Sequence, residues 1–378
     1  MKFKKIIAVI VLLTLICPTV QAYTSIGTDK YERQMEALQR GVIARDAEDC
    51  GIFISWRNLA CEDVKYNVYR NGKKLNKEPL GKTNYVDKDG TVNDTYFITA
   101  VDKNGTEGNR SEGVKPFKEF LSIPVERPEA RENKVGELVQ YSAQKAGTGD
   151  LDGDGEYEIV VVWYPDNAKD NSQEGHTSSV YIDAYELSGK KLWRIDMGQN
   201  IRAGEHYVPT IVYDFDGDGK AEIALRTADG TIDGTGTAIG DKNKYWVDNR
   251  GYILSGPEYL TIFDGPTGKA LDTVDFTPAR GNVADWGDTG GNRVDRFLGG
   301  VAYLDGKTPS LIMSRGYYTS RDGSMGKTGI TAYNFGTVKL KQNGSLKQVF
   351  KIISILIMSV RVTTVWLRQM LIRTGLTK

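Results

Sequence analysis

The sequence has few cysteines and no excess of either charge. Only three cysteines occur in 378 residues, and Cys17 lies in an apolar N-terminal run. Cys50 and Cys61 could form one disulfide in an oxidising compartment, and the sequence does not decide whether they do. Two cysteines do not make a disulfide scaffold. Lys plus Arg and Asp plus Glu each number 49, so no overall field points to nucleic acid or to an anionic membrane.

The apolar run at the N-terminus is too short for a stable membrane span. Basic residues precede the run Ile6–Ile16, and Val20-Gln21-Ala22 provides a small-x-small exit. This pattern predicts a signal peptide of residues 1–22, cleaved after Ala22, and a secreted protein without membrane attachment. A lipoprotein at Cys17 is the weaker alternative, because Ile16 occupies a position where a small residue is expected.

Two matching acidic loops organise the rest of the chain, DLDGDGEYE at 150–158 and DFDGDGKAE at 214–222. Each places carboxylates at positions 1, 3, 5 and 9, with glycines that permit a tight turn, as in sites for hard cations. Each leads into an apolar β-type segment, whereas an EF-hand loop leads into a helix. The alternative is an Asp/Gly-rich turn without metal. The predicted Ca²⁺ ligands are Asp150, Asp152, Asp154 and Glu158 in the first loop and Asp214, Asp216, Asp218 and Glu222 in the second.

Residues 23–120 have the pattern of a small β-sandwich that resembles a fibronectin type III module. Short alternating segments at 52–55, 66–69 and 96–101 end at turns, two of which are Asn-Gly pairs. Their spacing is typical of a sandwich, and modules of this kind usually serve as spacers or partner surfaces.

Residues 121–350 contain a repeat. Each acidic loop is followed by a hairpin, at 180–195 after the first and at 259–274 after the second, and a weaker third copy spans 301–335. Repeated four-strand units with long insertions predict an all-β fold with a partial β-propeller. The alternative, a parallel β-helix, would need shorter and more regular coils.

Residues 351–378 differ from the rest because they contain no acidic residue and one glycine. Reading permissible codons from the third base of the Met358 codon yields ECQGNHSLAAADVDKDGLDE, which contains another acidic loop. We therefore expect a frameshifted tail, and hence a propeller cut short. The alternative is an amphipathic or edge-strand tail.

The order of many short motifs resembles the rhamnogalacturonan lyases of polysaccharide lyase family 11, from about residue 40 to residue 341. The resemblance implies an N-terminal β-domain, an eight-bladed propeller, several bound calcium ions and cleavage of the rhamnose–galacturonate backbone of pectin. Gln144-Lys145 and Tyr164 depart from the Asn-Asp and Asp expected in relatives. The motifs are GVIAR at 41–45, FISWR at 53–57, NVYR at 67–70, GDLDGDGEYE at 149–158, KDNSQ at 169–173, LWRID at 192–196, NIRAG at 200–204, HY at 206–207, TADGT at 227–231 and SRGYYT at 314–319.

β-Elimination at a uronate requires neutralisation of its carboxylate, a base for the C5 proton and a proton for the departing oxygen. The predicted catalytic residues are Lys169, Arg202 and His206. Arg202 could instead form a salt bridge. His206 could instead ligate calcium, support a residue that does, or simply pack. The predicted substrate-binding residues are Tyr164, Arg226, Arg315 and Tyr317, although a Tyr pair at 317–318 could simply pack across strands.

The sequence therefore predicts a secreted, calcium-dependent lyase that acts on rhamnogalacturonan I and is a monomer. Glycosidase chemistry would need two opposed carboxylates, and the prominent acids are better used as metal ligands. The alternative function is that of a non-catalytic exported calcium propeller that binds a glycan or a protein.

Overall fold

The computed structural model describes Gln34, residues 38–59, 62–317 and 327–335, and the backbone of residues 351–358. These residues form an all-β fold with two short 3-10 helices, Glu48–Cys50 and Val283–Trp286. Within the same ranges, no helix has the length and apolarity needed to cross a membrane. The predicted signal peptide and the tail after residue 358 lie outside the described residues, and both stay predictions.

The N-terminal unit consists of two antiparallel sheets around one core. Its first sheet has the order β1-β2-β5 and its second the order β4-β3-β6-β7. Trp56, Tyr66 and Ile98 are buried between the sheets, so the apolar positions of the predicted strands do face a core. The strands are β1 Ile43–Asp46, β2 Ile52–Ser55, β3 Lys65–Arg70, β4 Lys73–Lys74, β5 Asn84–Asp87, β6 Tyr96–Val101 and β7 Glu107–Arg110.

The two cysteines of the open disulfide question belong to this unit. Cys50 carries a free and exposed thiol. Cys61 lies outside the described residues.

The second part of the chain begins with a small hairpin, β8 Arg131–Glu132 and β9 Leu138–Val139, and continues in three larger sheets. Sheet A contains β10 Tyr141–Gly149, β11 Glu158–Pro165, β12 Tyr181–Tyr185 and β13 Lys191–Asp196, extended by β16 Thr231–Ile232 and β17 Ala238–Ile239. Sheet B contains β14 Thr210–Tyr213, β15 Glu222–Thr227, β18 Tyr259–Phe263 and β19 Ala270–Asp275. Sheet C contains β20 Phe297–Ala302, β21 Ser310–Arg315, β22 Lys327–Asn334 and the backbone strand β23 Lys351–Met358.

The predicted repeat is confirmed at the level of strands. The two hairpins are β12–β13 and β18–β19, and the weaker third copy supplies β20, β21 and β22. Each acidic loop ends at the first residue of the second strand of its sheet, Glu158 in β11 and Glu222 in β15. The β-branched run in β11 fits a central strand with both faces covered, because such side chains pack well on a pleated surface.

The first strands of the three sheets lie next to one another. A Cβ on Gly147 of β10 would lie 3.1 Å from Val212 of β14, and a Cβ on Gly299 of β20 would lie 2.8 Å from Ile211 of β14. One core joins sheets A and B, and a second joins sheets B and C. The sheets thus follow one another in chain order. Each is open and none closes on itself within the described residues, so the propeller stays a prediction.

Candidate functional site

The carboxylates of the two acidic loops converge as the sequence predicts. Oxygens of Asp214, Asp216, Asp218 and Glu222 lie within 4.8 Å of one another, and so do those of Asp150, Asp152 and Glu158. Asp154 lies outside the converged group of the first loop, and its Oδ1 accepts a hydrogen bond from the Glu156 amide at 2.7 Å.

The two loops have the same hydrogen-bond pattern. Asp150 accepts from the Gly153 and Gly155 amides, each at 2.8 Å, and Glu158 Oε2 accepts from the Leu151 amide at 2.7 Å. In the second loop Asp214 and Glu222 accept from the equivalent amides of residues 217, 219 and 215. Both glycines of the first loop have positive φ, +83° and +91°, a conformation that disfavours other residues.

The donor set and its electrostatics fit a hard divalent cation. Burial, together with the neighbouring aspartates, raises the pKa of Glu158 to about 7 and that of Glu222 to about 9. Burial also raises the pKa of Asp214 to about 6. Clustered carboxylates in a partly buried site are costly to ionise together unless a cation compensates them. Carboxylate oxygens of this number and spacing are the ligands that Ca²⁺ takes.

We expect the affinity of both loops for a divalent cation to rise with pH, because the cation must displace protons from Glu158 and Glu222. Between pH 6 and pH 8 the expected gain is about tenfold for the first loop and closer to a hundredfold for the second. The folded, cation-free protein binds more protons than the unfolded chain from about pH 4.5 up to the raised pKa values, so its stability should fall as pH rises through that window. Calorimetric titration at several pH values, beside thermal melts in EDTA, measures both trends. An affinity independent of pH would contradict the prediction.

A cleft of about 360 Å³ lies between the first strands of the three sheets, and Lys145, Glu205, His206, Phe297 and Tyr317 are among the residues that line it. His206 stands in the loop before β14, and the Phe297 amide donates to its carbonyl at 3.1 Å. The Tyr317 hydroxyl is 2.9 Å from His206 Nδ1. On the other side of the ring, Asp170 Oδ2 is 3.7 Å from His206 Nε2.

The surroundings of His206 favour its neutral form. Burial and the nearby Arg296 lower its pKa below the ordinary value, while Asp170 opposes the shift. The carboxylate beside Nε2 favours the tautomer that carries its proton there, which leaves Nδ1 as the acceptor for the Tyr317 hydroxyl. This arrangement can receive a proton from a hydroxyl at the cleft and return it.

Of the predicted site residues, the structure brings His206, Tyr317 and Tyr164 to this part of the molecule. The Tyr164 hydroxyl donates to the Gly204 carbonyl at 2.9 Å and supports the loop that carries His206. Its side chain is buried, so in this conformation it lies beneath the loop.

Lys145 and Asp170 carry charge at the cleft and were not predicted as site residues. Lys145 Nζ donates to the Glu205 carbonyl at 2.5 Å and pairs with the Glu205 carboxylate at 3.0 Å. Asp170 forms an ion pair with Arg296 at 3.5 Å and lies 3.7 Å from Nε2 of the neutral His206. The only sequence signal for Lys145 is that it departs from the family pattern. Asp170 is part of the KDNSQ motif but has no signal of its own.

Arg202 is buried and binds backbone oxygens. Its guanidinium donates to the carbonyls of Asp170 at 3.2 Å and Gly175 at 3.1 Å, and to that of Gln173. It also donates to the Tyr207 hydroxyl at 2.5 Å. Arg202 therefore stabilises the loop that carries Asp170. Its predicted catalytic role is not tested by this geometry.

Lys169 lies at the start of the same loop and is partly exposed. Its amide donates to the Ala203 carbonyl at 3.0 Å. Its ammonium forms no ion pair with another described residue. Lys169 thus remains a candidate for contact with an anionic ligand.

Arg226 and Arg315 lie in a buried cluster below the cleft. Glu258 accepts from Arg315 at 2.6 Å, from Arg280 at 2.9 Å and from Arg226 at 3.2 Å. Burial alone would raise the pKa of Glu258, but the three guanidiniums outweigh burial and hold that pKa below its ordinary value. The predicted substrate-binding arginines therefore face protein groups in this conformation.

The cluster is connected to the cleft. Arg226 donates to the Tyr207 carbonyl at 3.3 Å, one residue from His206, and Arg315 lies two residues before Tyr317. The Phe297 ring lies 4.3 Å from the Arg226 guanidinium and 4.8 Å from that of Arg315. Neither Glu258 nor Arg280 belongs to a recognisable motif, so no sequence signal could have predicted their partners.

Comparison with known families bears on what this cleft does. Residues 120–349 match the model described as rhamnogalacturonan lyase family 11, C-terminal domain, and residues 33–117 match the rhamnogalacturonan I lyases beta-sheet domain. The chain belongs to rhamnogalacturonan lyase family 11. The predicted resemblance is confirmed.

Curated relatives of this family 11 chain include two proteins of Bacillus subtilis (strain 168). Rhamnogalacturonan endolyase YesW is 52% identical over 89% of this chain, and rhamnogalacturonan exolyase YesX is 50% identical over 82%. The aligned parts make up 52% and 50% of those proteins, so the chain spans about half the length of the curated relatives it matches.

Solved structures of family 11 lyases have the same fold over the shared region. The crystal structure of YesW has a TM-score of 0.76 at 53% identity and covers 85% of this chain and 53% of the YesW chain. A lyase of the same family from Bacillus licheniformis has a TM-score of 0.76 at 51% identity, and covers 86% of this chain and 53% of that chain.

Proposed function

We propose that this chain is the N-terminal part of a secreted, calcium-dependent rhamnogalacturonan lyase that cleaves rhamnogalacturonan I by β-elimination. The observation that carries the proposal is the cleft in which His206 contacts Tyr317 and lies beside Asp170, in a chain about half identical to an endolyase and an exolyase. The cleft offers an acid–base pair and cations, which are the groups that elimination at a uronate requires.

We further propose that sheets A, B and C are consecutive blades of a β-propeller, with residues 121–350 as the propeller part and residues 23–120 as a separate β-domain. The strand β23 of sheet C falls within the tail of residues 351–378. Three antiparallel sheets that follow one another in the chain and pack face to face, with adjacent first strands, support this arrangement. The same proposal includes a frameshifted tail at residues 351–378, which cuts the propeller short of its later blades, and a monomeric state.

In the proposed reaction His206 and Tyr317 handle the protons. With Nδ1 of neutral His206 accepting from Tyr317, the tyrosine oxygen can take the C5 proton of the sugar as its own proton moves to the imidazole. The bond to the departing oxygen breaks as the double bond forms, and the imidazolium can return its proton through the tyrosine to that oxygen. The Asp170 carboxylate beside Nε2 stabilises the imidazolium that results. Lys145, which pairs with the exposed Glu205 at the edge of the cleft, is placed to exchange that partner for a uronate carboxylate.

Calcium held by the two acidic loops would supply positive charge that keeps the loops closed. Its predicted ligands follow β10 and β14, the first strands of sheets A and B, and the cleft lies along the same strands. We therefore propose that these two sites stabilise the strands that line the cleft.

We expect the chain mixed with rhamnogalacturonan I and calcium to raise the ultraviolet absorbance of unsaturated uronate products. Replacing His206 by Ala should lower the rate about a hundredfold or more, since general acid–base groups contribute at least that much. His176→Ala changes the only other histidine, and its rate should stay near that of the unchanged chain. Because the His206 pKa is lowered, activity should persist as pH falls to 6.5 and be lost below it, as the imidazole becomes protonated.

Retained activity in the His206 variant would contradict the acid–base assignment. The chain spans about half of each relative, which favours one second candidate, a glycan-binding protein without lyase activity. Absorbance that stays flat, while the chain still binds immobilised rhamnogalacturonan I, would support that candidate.

A further inference from the structure

The first described residues of the chain lie against the acidic loops. The backbone N–H of Gln39 donates to the Gly155 carbonyl at 3.2 Å, and its side-chain Nε2 donates to the Asp154 carbonyl at 2.9 Å. A Cβ added to Gly155 would lie 2.5 Å from Gln39 Cγ. Gln39 is therefore seated directly on the turn of the first loop.

The same segment reaches the corresponding turns of the other two sheets. The Gln34 amide donates to the Lys307 carbonyl at 2.8 Å, and the Tyr303 hydroxyl donates to the Gln34 carbonyl at 2.5 Å. A Cβ on Gly217 of the second loop would lie 2.3 Å from Gln34 Nε2. Gln34 and Gln39 together contact the loops that follow the first strands of all three sheets.

The N-terminal β-unit continues from this segment and makes its own contact with the first loop. Arg57, which follows β2, donates to the Gln39 carbonyl at 3.1 Å, and its guanidinium lies 4.6 Å from the centre of the Tyr157 ring. The acidic loops are also joined to each other, because the Ala221 amide donates to the Asp150 carbonyl at 2.6 Å. The position of the N-terminal unit thus depends on the shape of the loops.

The shape of the loops depends in turn on the charge at their centres. Asp150, Asp152 and Glu158 converge, and when they are ionised with no cation between them their like charges repel one another. Opening of the first loop would move the carbonyls of Asp154 and Gly155, which are the two acceptors that hold Gln39.

We propose that the two acidic loops form a divalent-cation-dependent docking surface for the N-terminal β-unit of this chain. The proposal rests on the calcium part of the proposed function and is independent of lyase activity. Coupling of this kind is reciprocal. If the bound cation favours docking of Gln39 by a certain factor, docking of Gln39 raises the cation affinity of the first loop by the same factor.

Hydrogen–deuterium exchange of the full chain, in calcium and after its removal with EGTA, tests the docking directly. Removal should speed exchange of residues 38–46 by about tenfold or more, since local opening would release these amides. The buried strand β12 should change much less. Equal exchange of residues 38–46 in both buffers, in a protein that binds calcium by calorimetry, would overturn the coupling and leave the lyase assignment intact. A chain that binds no calcium would overturn the coupling together with the calcium dependence.

Gln39→Ala tests the reciprocal effect. Loss of its side-chain hydrogen bond should weaken calcium binding at the first loop by about fivefold. Gln140→Ala is the matched control, because Gln140 is exposed and its side chain bonds no other described residue. Equal calcium affinity in both variants would contradict the coupling.

Discussion

Removal of divalent cations with EDTA is expected to lower the melting temperature of this chain by roughly 10 °C or more. A ligand present at a hundred times its dissociation constant stabilises the folded state by about 2.7 kcal/mol per site. Two loops with converging carboxylates are present among the described residues. One kcal/mol shifts the melting temperature of a domain of this size by about 2–4 °C.

Scanning calorimetry at fixed free calcium, in EDTA and in magnesium measures this effect. Magnesium should stabilise less than calcium at equal concentration, because it requires stricter octahedral geometry and gives up water reluctantly. Glu222→Gln should remove about half of the calcium-dependent shift. Asp89→Asn alters an exposed acid outside the loops and serves as the control. A melting temperature that is the same in EDTA and in calcium would contradict a cation site in either loop.

Replacing Glu258 by Gln is expected to destabilise the chain by about 3–5 kcal/mol, the usual result of removing one partner from a buried ionic network. The Glu258 carboxylate is within 3.2 Å of three buried guanidiniums. Asp295 is a second buried acid that interacts electrostatically with the same three arginines, and burial together with the charge of Glu258 raises its pKa, so in the unchanged chain Glu258 carries the compensating charge. The variant would retain the size of the side chain but leave the arginines without their shared charge.

Urea unfolding of the Glu258 variant measures the loss. Glu186→Gln is the matched control, since the Glu186 carboxylate pairs with Lys190 at the surface and accepts a hydrogen bond from the Ser188 hydroxyl, and surface ion pairs contribute between 0 and about 1 kcal/mol. A Glu258 variant within about 1 kcal/mol of the unchanged chain would mean that the cluster is compensated by groups other than this carboxylate.

The Glu258 cluster also bears on the cleft, since Arg226 holds the Tyr207 carbonyl and Arg315 leads to Tyr317. Weakening of the cluster should therefore change the separation of His206 and Tyr317. We therefore expect Glu258 to act by positioning residues of the cleft and not by contact with a ligand.

Much of this molecule could be predicted from local spacing. Carboxylates at positions 1, 3, 5 and 9 with interspersed glycines specify a loop almost independently of its surroundings, and both loops were placed correctly. Strand pairs joined by Ser-Gly or Thr-Gly turns are equally local, and the hairpins β12–β13 and β18–β19 are where the pattern predicted them. Asp154 is the exception within the loops, because its carboxylate caps a neighbouring amide instead of joining the cluster.

Other features depend on contacts between residues far apart in the chain. His206 and Tyr317 are 111 positions apart, and Arg315 and Glu258 are 57 apart. Whether an arginine faces a ligand, a carbonyl or a buried carboxylate depends on which strand packs over it. For that reason Arg202, Arg226 and Arg315 had the residue type expected at a polyanion cleft, yet in the structure they bind groups of the protein.

The amino-acid sequence by itself determined the family, the two acidic loops and the order of the strands, because these follow from residue type and spacing within short segments. Only the tertiary structure decided the partners of His206, the burial of Arg226 and Arg315 with Glu258, and the seat of Gln39 on the first loop. Each of these is a long-range contact, whose energy depends on burial and on charges brought together by packing, and no local pattern records it.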